Sequence, residues 1–324
     1  MHKSGFVNVI GKPNVGKSSL INLLIGENLL ITSPKAQTTR HRILGILSSD
    51  KFQLIFSDTP GLIKPNYKLQ ESMVNATMSV SKDADIFLLV VEIGDNYNFD
   101  YDLTKKIVLS KKPIIILINK IDLGDQKKLE KTIEFWKKII PDSLIIPISV
   151  KEKFQTDNLV EKIVELLPIH PAYFPKDQLT DKTERFFVNE KIREKILMYY
   201  SKEIPYSVEV LTSEFKNEEK IIKIRSQILV ERESQKAIII GHKGNALRKI
   251  GTKSRKDLEL FFDKKIFLDG IINKDYSIYI SSITDKELDE NPELVRTMSV
   301  KPPRGSGQIR MIKIGDDIDF QPCG

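Results

Sequence analysis

The stretch Gly11-Lys12-Pro13-Asn14-Val15-Gly16-Lys17-Ser18 lies between an apolar run at residues 6–10 and a segment of helical period at 18–24. A glycine-rich loop that joins a strand to a helix is a place where backbone amides and a helix N-terminus together hold phosphate. On that reading Gly11, Asn14, Val15 and Gly16 cradle a β-phosphate, with Ser18 and Ser19 at the helix start. Lys17 neutralises β and γ oxygens, and the Ser18 hydroxyl ligates Mg2+. The competing reading is an ordinary turn with a chance lysine. It loses because three further motifs follow in order.

Asp58-Thr59-Pro60-Gly61 closes a later strand. It puts a carboxylate where Mg2+ is held through water, and the Gly61 amide where it meets a γ-phosphate. Asn119-Lys120-Ile121-Asp122 ends the apolar run 114–118, at the carboxyl edge where open α/β sheets bind ligands. Asp122 offers two acceptors to the N1 and N2 donors of guanine, a pair that adenine lacks. A wrong base leaves that carboxylate unpaired, so discrimination is expected to be large. After the next strand, Ser149-Val150-Lys151 presents a backbone amide to guanine O6. The four motifs predict a phosphate-loop GTPase that uses GTP/GDP and Mg2+, with Lys17, Asp58 and Gly61 at the chemistry, and they exclude an ATPase.

Apolar runs at 6–10, 54–56, 86–91, 114–118 and 144–148 alternate with helical segments at 18–24, 101–109, 127–138 and 158–167. This order predicts an α/β domain over residues 1–170, a mostly parallel sheet with helices on both faces. Pro171 and Pro175 then mark a linker over 171–182. A helix at 185–200, strand-like runs at 207–215 and 221–230, and a helix-turn-helix at 235–262 predict a second, α+β domain over 183–270. The chain of 324 residues carries a formal charge of +7 and a single cysteine, Cys323. One thiol excludes a disulfide-built secreted scaffold, so a reducing, cytoplasmic setting is expected. No apolar run approaches the roughly 20 residues of a membrane-spanning helix, and no cleavage region follows the first apolar stretch.

The second domain is the most basic part, with 19 basic against 13 acidic residues over 185–270. Residues 241–256 hold Lys243, Arg248, Lys249, Lys253, Arg255 and Lys256 without an acidic side chain. Within them, Gly241-His242-Lys243-Gly244 joins two helical segments. Two glycines let the backbone approach a nucleic-acid strand closely, and the next helix aims its amides at phosphate. The pattern resembles the GXXG loop of KH domains, in which Ile238 to Ile240 and Leu247 would line an apolar groove for bases. Ile240, Gly241, His242, Lys243, Gly244, Arg248, Lys249 and Lys253 are the candidate RNA contacts. By itself the motif equally fits a helix-turn-helix corner with a solvated basic face.

The phosphate loop, followed by Lys35-Ala36-Gln37-Thr38-Thr39-Arg40-His41-Arg42 and Asp-Thr-Pro-Gly-Leu62, resembles the Era GTPases of bacteria over about residues 5–270. The resemblance implies that Thr39, with Thr38 the alternative, ligates Mg2+ in the GTP state, which adds Thr39 to the catalytic set. It also implies that Asn14 helps hold K+, where the residues alone equally allow a loop-stabilising amide. Further implied are the 3′ region of small-subunit ribosomal RNA as ligand, a role in assembling a 30S-type subunit, a monomer, and weak peripheral membrane association, although no amphipathic anchor is identifiable. Leu62 stands where many GTPases place a water-orienting glutamine, so slow turnover is expected. Val150 stands where the family usually has alanine. The rival from another class is an RNA chaperone that nucleotide merely stabilises, without significant turnover.

Residues 271–324 depart from that family. Lys301-Pro302-Pro303-Arg304-Gly305-Ser306-Gly307 and Ile318-Asp319-Phe320-Gln321-Pro322-Cys323-Gly324 resemble part of the alanyl-tRNA editing domain, whose zinc needs a histidine pair and a later Cys-x-x-x-His. The histidines are His2, His41, His170 and His242, so no zinc site is expected. A divergent Era tail is the alternative. Either way, residues 278–280 are candidates for the last KH strand.

Overall fold

Strand β1 (Lys3–Ile10) is apolar on both faces, as a central parallel strand must be, and Val7 and Val9 on it are fully buried. The computed structural model describes residues 1–33, 35, 38–61, 83–95 and 107–270, together with the backbone of 271, 277–279, 308–314 and 317–323. Contacts within the chain divide it into two units, Met1–Lys182 and Thr183–Gly324.

In the first unit β1 is flanked by β3 (Phe52–Asp58) and β4 (Ile86–Glu92). Outside these lie β2 (Ile43–Ser48) on one side and β5 (Ile114–Asn119) and β6 (Leu144–Pro147) on the other. Every pairing is parallel except that of β2 with β3. β2 is missing from the five runs expected as strands. Its Gly45 has no side chain, and an added Cβ would collide with Ile25 of helix α1 (Lys17–Ile25). Helix α2 (Gln126–Ile139) is capped by Asp125, whose carboxylate accepts from the Lys128 amide at 2.7 Å, and buries Trp136 under β4 and β5. Helix α3 (Leu159–Leu166) follows β6. Of the expected helix at 101–109, only residues 107–109 are described, and they are helical.

Residues 171–182, expected as a linker, run as a strap on the sheet. The buried amide of Gln53 on β3 accepts at Oε1 from Tyr173 N and Phe174 N (2.8 and 3.0 Å). Its Nε2 donates to Phe174 O (2.8 Å) and Ser48 Oγ (3.0 Å). Further along, the Ile46 amide donates to Leu179 O (2.8 Å) and the Leu44 amide to Asp181 Oδ1 (2.9 Å). The strap thus supplies partners to β2, an edge strand whose amides would otherwise be bare.

The second unit opens with helix α4 (Glu184–Tyr199), capped by Thr183. Strands β7 (Val208–Asn217) and β8 (Ile221–Val230) pair antiparallel, and β9 (Lys265–Ile271) lies parallel to β8. Helices α5 (Glu233–Ile240) and α6 (Asn245–Phe262) flank the Gly241–Gly244 turn. Ile192, Ile196, Val210, Ile224, Ile239, Leu258 and Leu268 form the core. Beyond residue 271, the backbone of β10 (Ser277–Tyr279) pairs antiparallel with Leu229 to Gln227 of β8, continuing the edge that β9 occupies. Residues 278 and 279, two of the three candidates for the last KH strand, lie in this pair, and Ile280 lies outside the described residues. β11 (Gln308–Ile314) and β12 (Asp317–Cys323) form an antiparallel pair.

Candidate nucleotide site and glycine loop

The carboxyl ends of β1, β3 and β5 deliver the first three sequence motifs to one edge of the sheet, and a loop after β6 delivers the fourth. Gly16 caps α1 at φ 103°, and a Cβ there would land on Asn119 Nδ2, so a side chain is excluded by both conformation and space. Asn14 is also left-handed, at φ 65°. The first turn of α1 and the loop border an open cleft of about 280 Å³ that reaches Thr39, Gly61 and Lys120. Gly61 comes so near that a Cβ would stand 2.6 Å from Pro13 N.

Lys17 is buried and donates to Gly11 O (3.0 Å) and Lys12 O (2.7 Å). Burial pushes its ammonium down to about 8, against the opposing pull of the Asp58 carboxylate. Burial in turn raises Asp58, while Lys17 and the Ser18 and Thr39 hydroxyls pull it back. Ser18 Oγ donates to Asp58 Oδ2 at 2.7 Å, and Thr39 Oγ1 stands 3.1 Å from the same oxygen and 3.2 Å from Ser18 Oγ. The Thr38 hydroxyl instead donates to Lys35 O at 2.6 Å. Among the described residues, Asp58 Oδ1 is buried with no hydrogen-bond partner. Thr59 is turned inward, its hydroxyl donating to Val9 O at 2.9 Å, and Pro60 is buried.

On the base side, Asn119 ties two motifs together. Its Nδ2 donates to Val15 O (2.8 Å) and its Oδ1 accepts from the Val150 amide (3.1 Å). Ser149 Oγ donates to Asp122 Oδ1 at 2.7 Å, fixing the carboxylate of this exposed residue. Lys120 is left-handed at φ 62°, and Lys151 is exposed and paired with Glu152. Leu62 lies outside the described residues.

In the second unit, Gly241 (φ 71°), Lys243 (φ 49°) and Gly244 (φ 74°) build a turn that L side chains rarely adopt, and a Cβ on Gly241 would stand 2.6 Å from Ala246 Cβ. His242, Lys243, Arg248, Lys249 and Lys253 are exposed, with Lys249 Nζ 4.5 Å from the centre of the Tyr199 ring. The apolar groove expected from Ile238 to Ile240 needs correction. Helical period turns Ile239 into the core, Ile240 is half-buried, and Ile238 is exposed on another face. Leu247 packs against the same core.

Residues 6–120 match the family described as 50S ribosome-binding GTPase, and residues 203–273 match the KH domain. GTPase Era of Clostridium kluyveri is 44% identical over 274 residues, 83% of this chain and 92% of that one. GTPase Era of Thermoanaerobacter sp. is 42% identical, over 83% of this chain and 90% of its own. The chain belongs to the Era family of GTPases. The crystal structure of Era with MgGDPNP and nucleotides 1506–1542 of 16S ribosomal RNA superposes with a TM-score of 0.79 at 35% identity, covering 91% of this chain and 98% of that one. A tyrosine-to-alanine variant of Aquifex aeolicus Era bound to GDP and aluminium fluoride also gives 0.79, at 36% identity and the same coverage.

As a member of the Era family the protein binds GTP and GDP and hydrolyses GTP. The oxygens of Ser18, Thr39 and Asp58 suit a small hard cation, since ligands of an octahedral Mg2+ at about 2.1 Å lie roughly 3 Å apart. Asp58 Oδ1, which meets no hydrogen-bond partner among the described residues, is a further acceptor at the same place. Sequence reasoning missed Asn22, whose side chain exchanges two hydrogen bonds with the Leu30 backbone (2.7 and 2.8 Å) and anchors the start of the segment that leads to Thr39. An asparagine in a helix followed eight residues later by leucine carries no local signal of that pairing. Among the described residues, no helix is long and apolar enough to cross a membrane.

Proposed function

We propose that this chain is a GTP-driven switch whose KH unit binds single-stranded RNA from the 3′ region of small-subunit ribosomal RNA and assists assembly of a 30S-type subunit. The observation that carries the switch is the triangle of Ser18, Thr39 and Asp58 oxygens, because it makes a residue of a long loop part of the nucleotide site. Mg2+, when bound, neutralises β and γ oxygens and polarises the γ-phosphate. Ser18 and Thr39 would hold it directly and Asp58 through water. Lys17 bridges the β and γ oxygens with its third N–H, while the amides of Asn14, Val15, Gly16, Ser18 and Ser19 take the remaining phosphate oxygens. Gly11 lets the backbone turn, and Thr59, Pro60 and Gly61 bring an amide to the γ-phosphate. Loss of that phosphate releases Thr39 and the turn from Asp58 to Gly61.

Asp122 selects guanine, Lys120 lies along the base, and Asn119 keeps both loops in register. Guanine O6 takes an amide of the Val150 to Lys151 loop, competing with the Val150 to Asn119 bond. Asn14 helps hold K+ beside the phosphates. The relative solved with 16S ribosomal RNA supports the RNA target. On this reading residues 1–170 are the nucleotide domain, 171–182 the connection, 183–270 the KH domain, and the protein works as a cytoplasmic monomer with at most weak peripheral membrane contact. Residues 271–324 are an editing-domain fragment without zinc or editing activity.

Single-turnover hydrolysis of GTP, with and without an RNA of the small-subunit 3′ region, tests the reading. Turnover that depends on Asp58 and responds to RNA is expected. A chain that binds RNA but turns over identically with and without it is not a switch of this kind.

A further inference from the structure

Between the phosphate loop and the base loop lies the turn from Glu92 to Asp95, which belongs to none of the four nucleotide motifs. It is held on three sides. The Ile93 amide donates to Asn119 O (3.0 Å), the Gly94 amide donates to the hydroxyl of the fully buried Thr132 (2.9 Å), and the Asp95 amide closes on Glu92 O (2.9 Å). Ile93 itself is buried in the core, against Gly124. A turn fixed this way presents its side chains from a rigid base.

Two carboxylates leave that base in different directions. Asp95 Oδ1 pairs with Lys12 Nζ at 2.7 Å, and Glu92 Oε2 pairs with Lys120 Nζ at 2.8 Å. Lys12 is the residue whose carbonyl accepts from Lys17 Nζ, and Lys120 is the lysine of the guanine motif. We propose that this turn is a two-armed brace setting the distance between phosphate and base loops, with Asp95 and Glu92 as positioning residues for the GTPase reaction. Asp95 acts on the phosphates through Lys12 and Lys17, and Glu92 acts on the base through Lys120. The inference rests on the nucleotide-site reading above.

The two arms have separable consequences. Lys17 meets charge that grows at the transferring phosphoryl group, so disturbing its carbonyl perch lowers kcat more than it weakens binding. Lys120 touches a base that is the same in GTP, GDP and the transition state, so disturbing it weakens binding uniformly and leaves kcat alone. Both pairs are partly exposed, which limits each effect to about fivefold.

The test uses the full chain, with Kd for GTP and GDP from a fluorescent analogue and kcat from single turnover. Asp95→Asn is expected to lower kcat about fivefold with Kd nearly unchanged. Glu92→Gln is expected to raise both Kd values equally, about threefold, with kcat unchanged. Asp95→Glu and Glu92→Asp should recover part of each loss, and Lys12→Met combined with Asp95→Asn should cost no more than either alone. Wild-type constants in both variants, or the same combined loss of kcat, affinity and thermal stability in both, would overturn the brace. Lys17→Ala is the control. If it still hydrolyses GTP the nucleotide-site reading has failed, whereas its loss beside two unaffected brace variants fails the brace alone.

Discussion

Gln53 and Phe174, 121 residues apart, exchange two hydrogen bonds through one fully buried side-chain amide. The same amide also accepts from Tyr173 and donates to Ser48, so all its hydrogen-bonding groups are used. Gln53→Leu keeps the volume and strands two amides and a carbonyl of the strap. A loss of roughly 1–3 kcal/mol is expected by urea unfolding, because the strap groups are part-buried and water replaces some of the lost partners. Amide exchange at Tyr173 and Phe174 should accelerate while Val9 stays protected. Unchanged exchange at those two amides would show that the strap does not depend on this clamp.

Lys17 makes nucleotide binding depend on pH in a defined direction. Its folded value of about 8 lies below the ordinary lysine value of about 10.4. The nucleotide-free protein therefore carries a penalty that is full below pH 8 and is relieved as pH rises towards 10.4. Phosphate beside the ammonium restores the proton, so GTP binding at about pH 8.5 should take up part of one proton. Calorimetry in buffers of different ionisation enthalpy reads that uptake. Binding that is proton-neutral there contradicts the assignment.

Gly16→Ala places a Cβ on Asn119 Nδ2 at a backbone conformation of φ 103°. The side chain must either push Asn119 away from Val15 O or strain the helix start, at about 1–3 kcal/mol. GTP affinity should fall roughly ten- to hundredfold, with the second unit's RNA binding untouched. Wild-type affinity would mean that the loop is not the phosphate cradle.

Aspartate in place of Gly241 and Gly244 combines steric strain with negative charge where a phosphate backbone is expected. RNA binding should be abolished while GTP affinity stays within about twofold, since the change lies in the other unit. Wild-type RNA binding should also fall steeply with salt, as counterion release requires. Intact RNA binding in the double variant refutes the KH assignment.

Hydrolysis should be faster in K+ than in Na+ buffers, because Leu62 cannot orient water and electrostatic stabilisation carries the reaction. Equal rates in the two salts would remove the ion from the role given to Asn14, and an Asn14→Ala variant that keeps the K+ response would do the same.

The nucleotide motifs were legible because each is a short run whose chemistry and backbone needs are local. Gly16 must adopt a left-handed conformation, Asp58 must end a strand, and Asn119 must sit at a carboxyl edge, and each requirement is written in neighbouring residues. The strand β2 was not legible, since Gly45 in an apolar run looks like a turn until α1 is seen to need its space. Helical period also moved Ile239 from an expected groove into the core, a displacement of one residue that a run of three isoleucines cannot reveal.

The sequence by itself determined the class of reaction, the base recognised, the order of domains and the basic glycine loop. Tertiary structure alone decided which ordinary residues hold those parts in place. Gln53, Asn22, Glu92 and Asp95 are common polar residues with no motif around them. Their partners lie from five to more than a hundred positions away, so their roles appear only when the sheet and loops bring those partners within hydrogen-bonding distance.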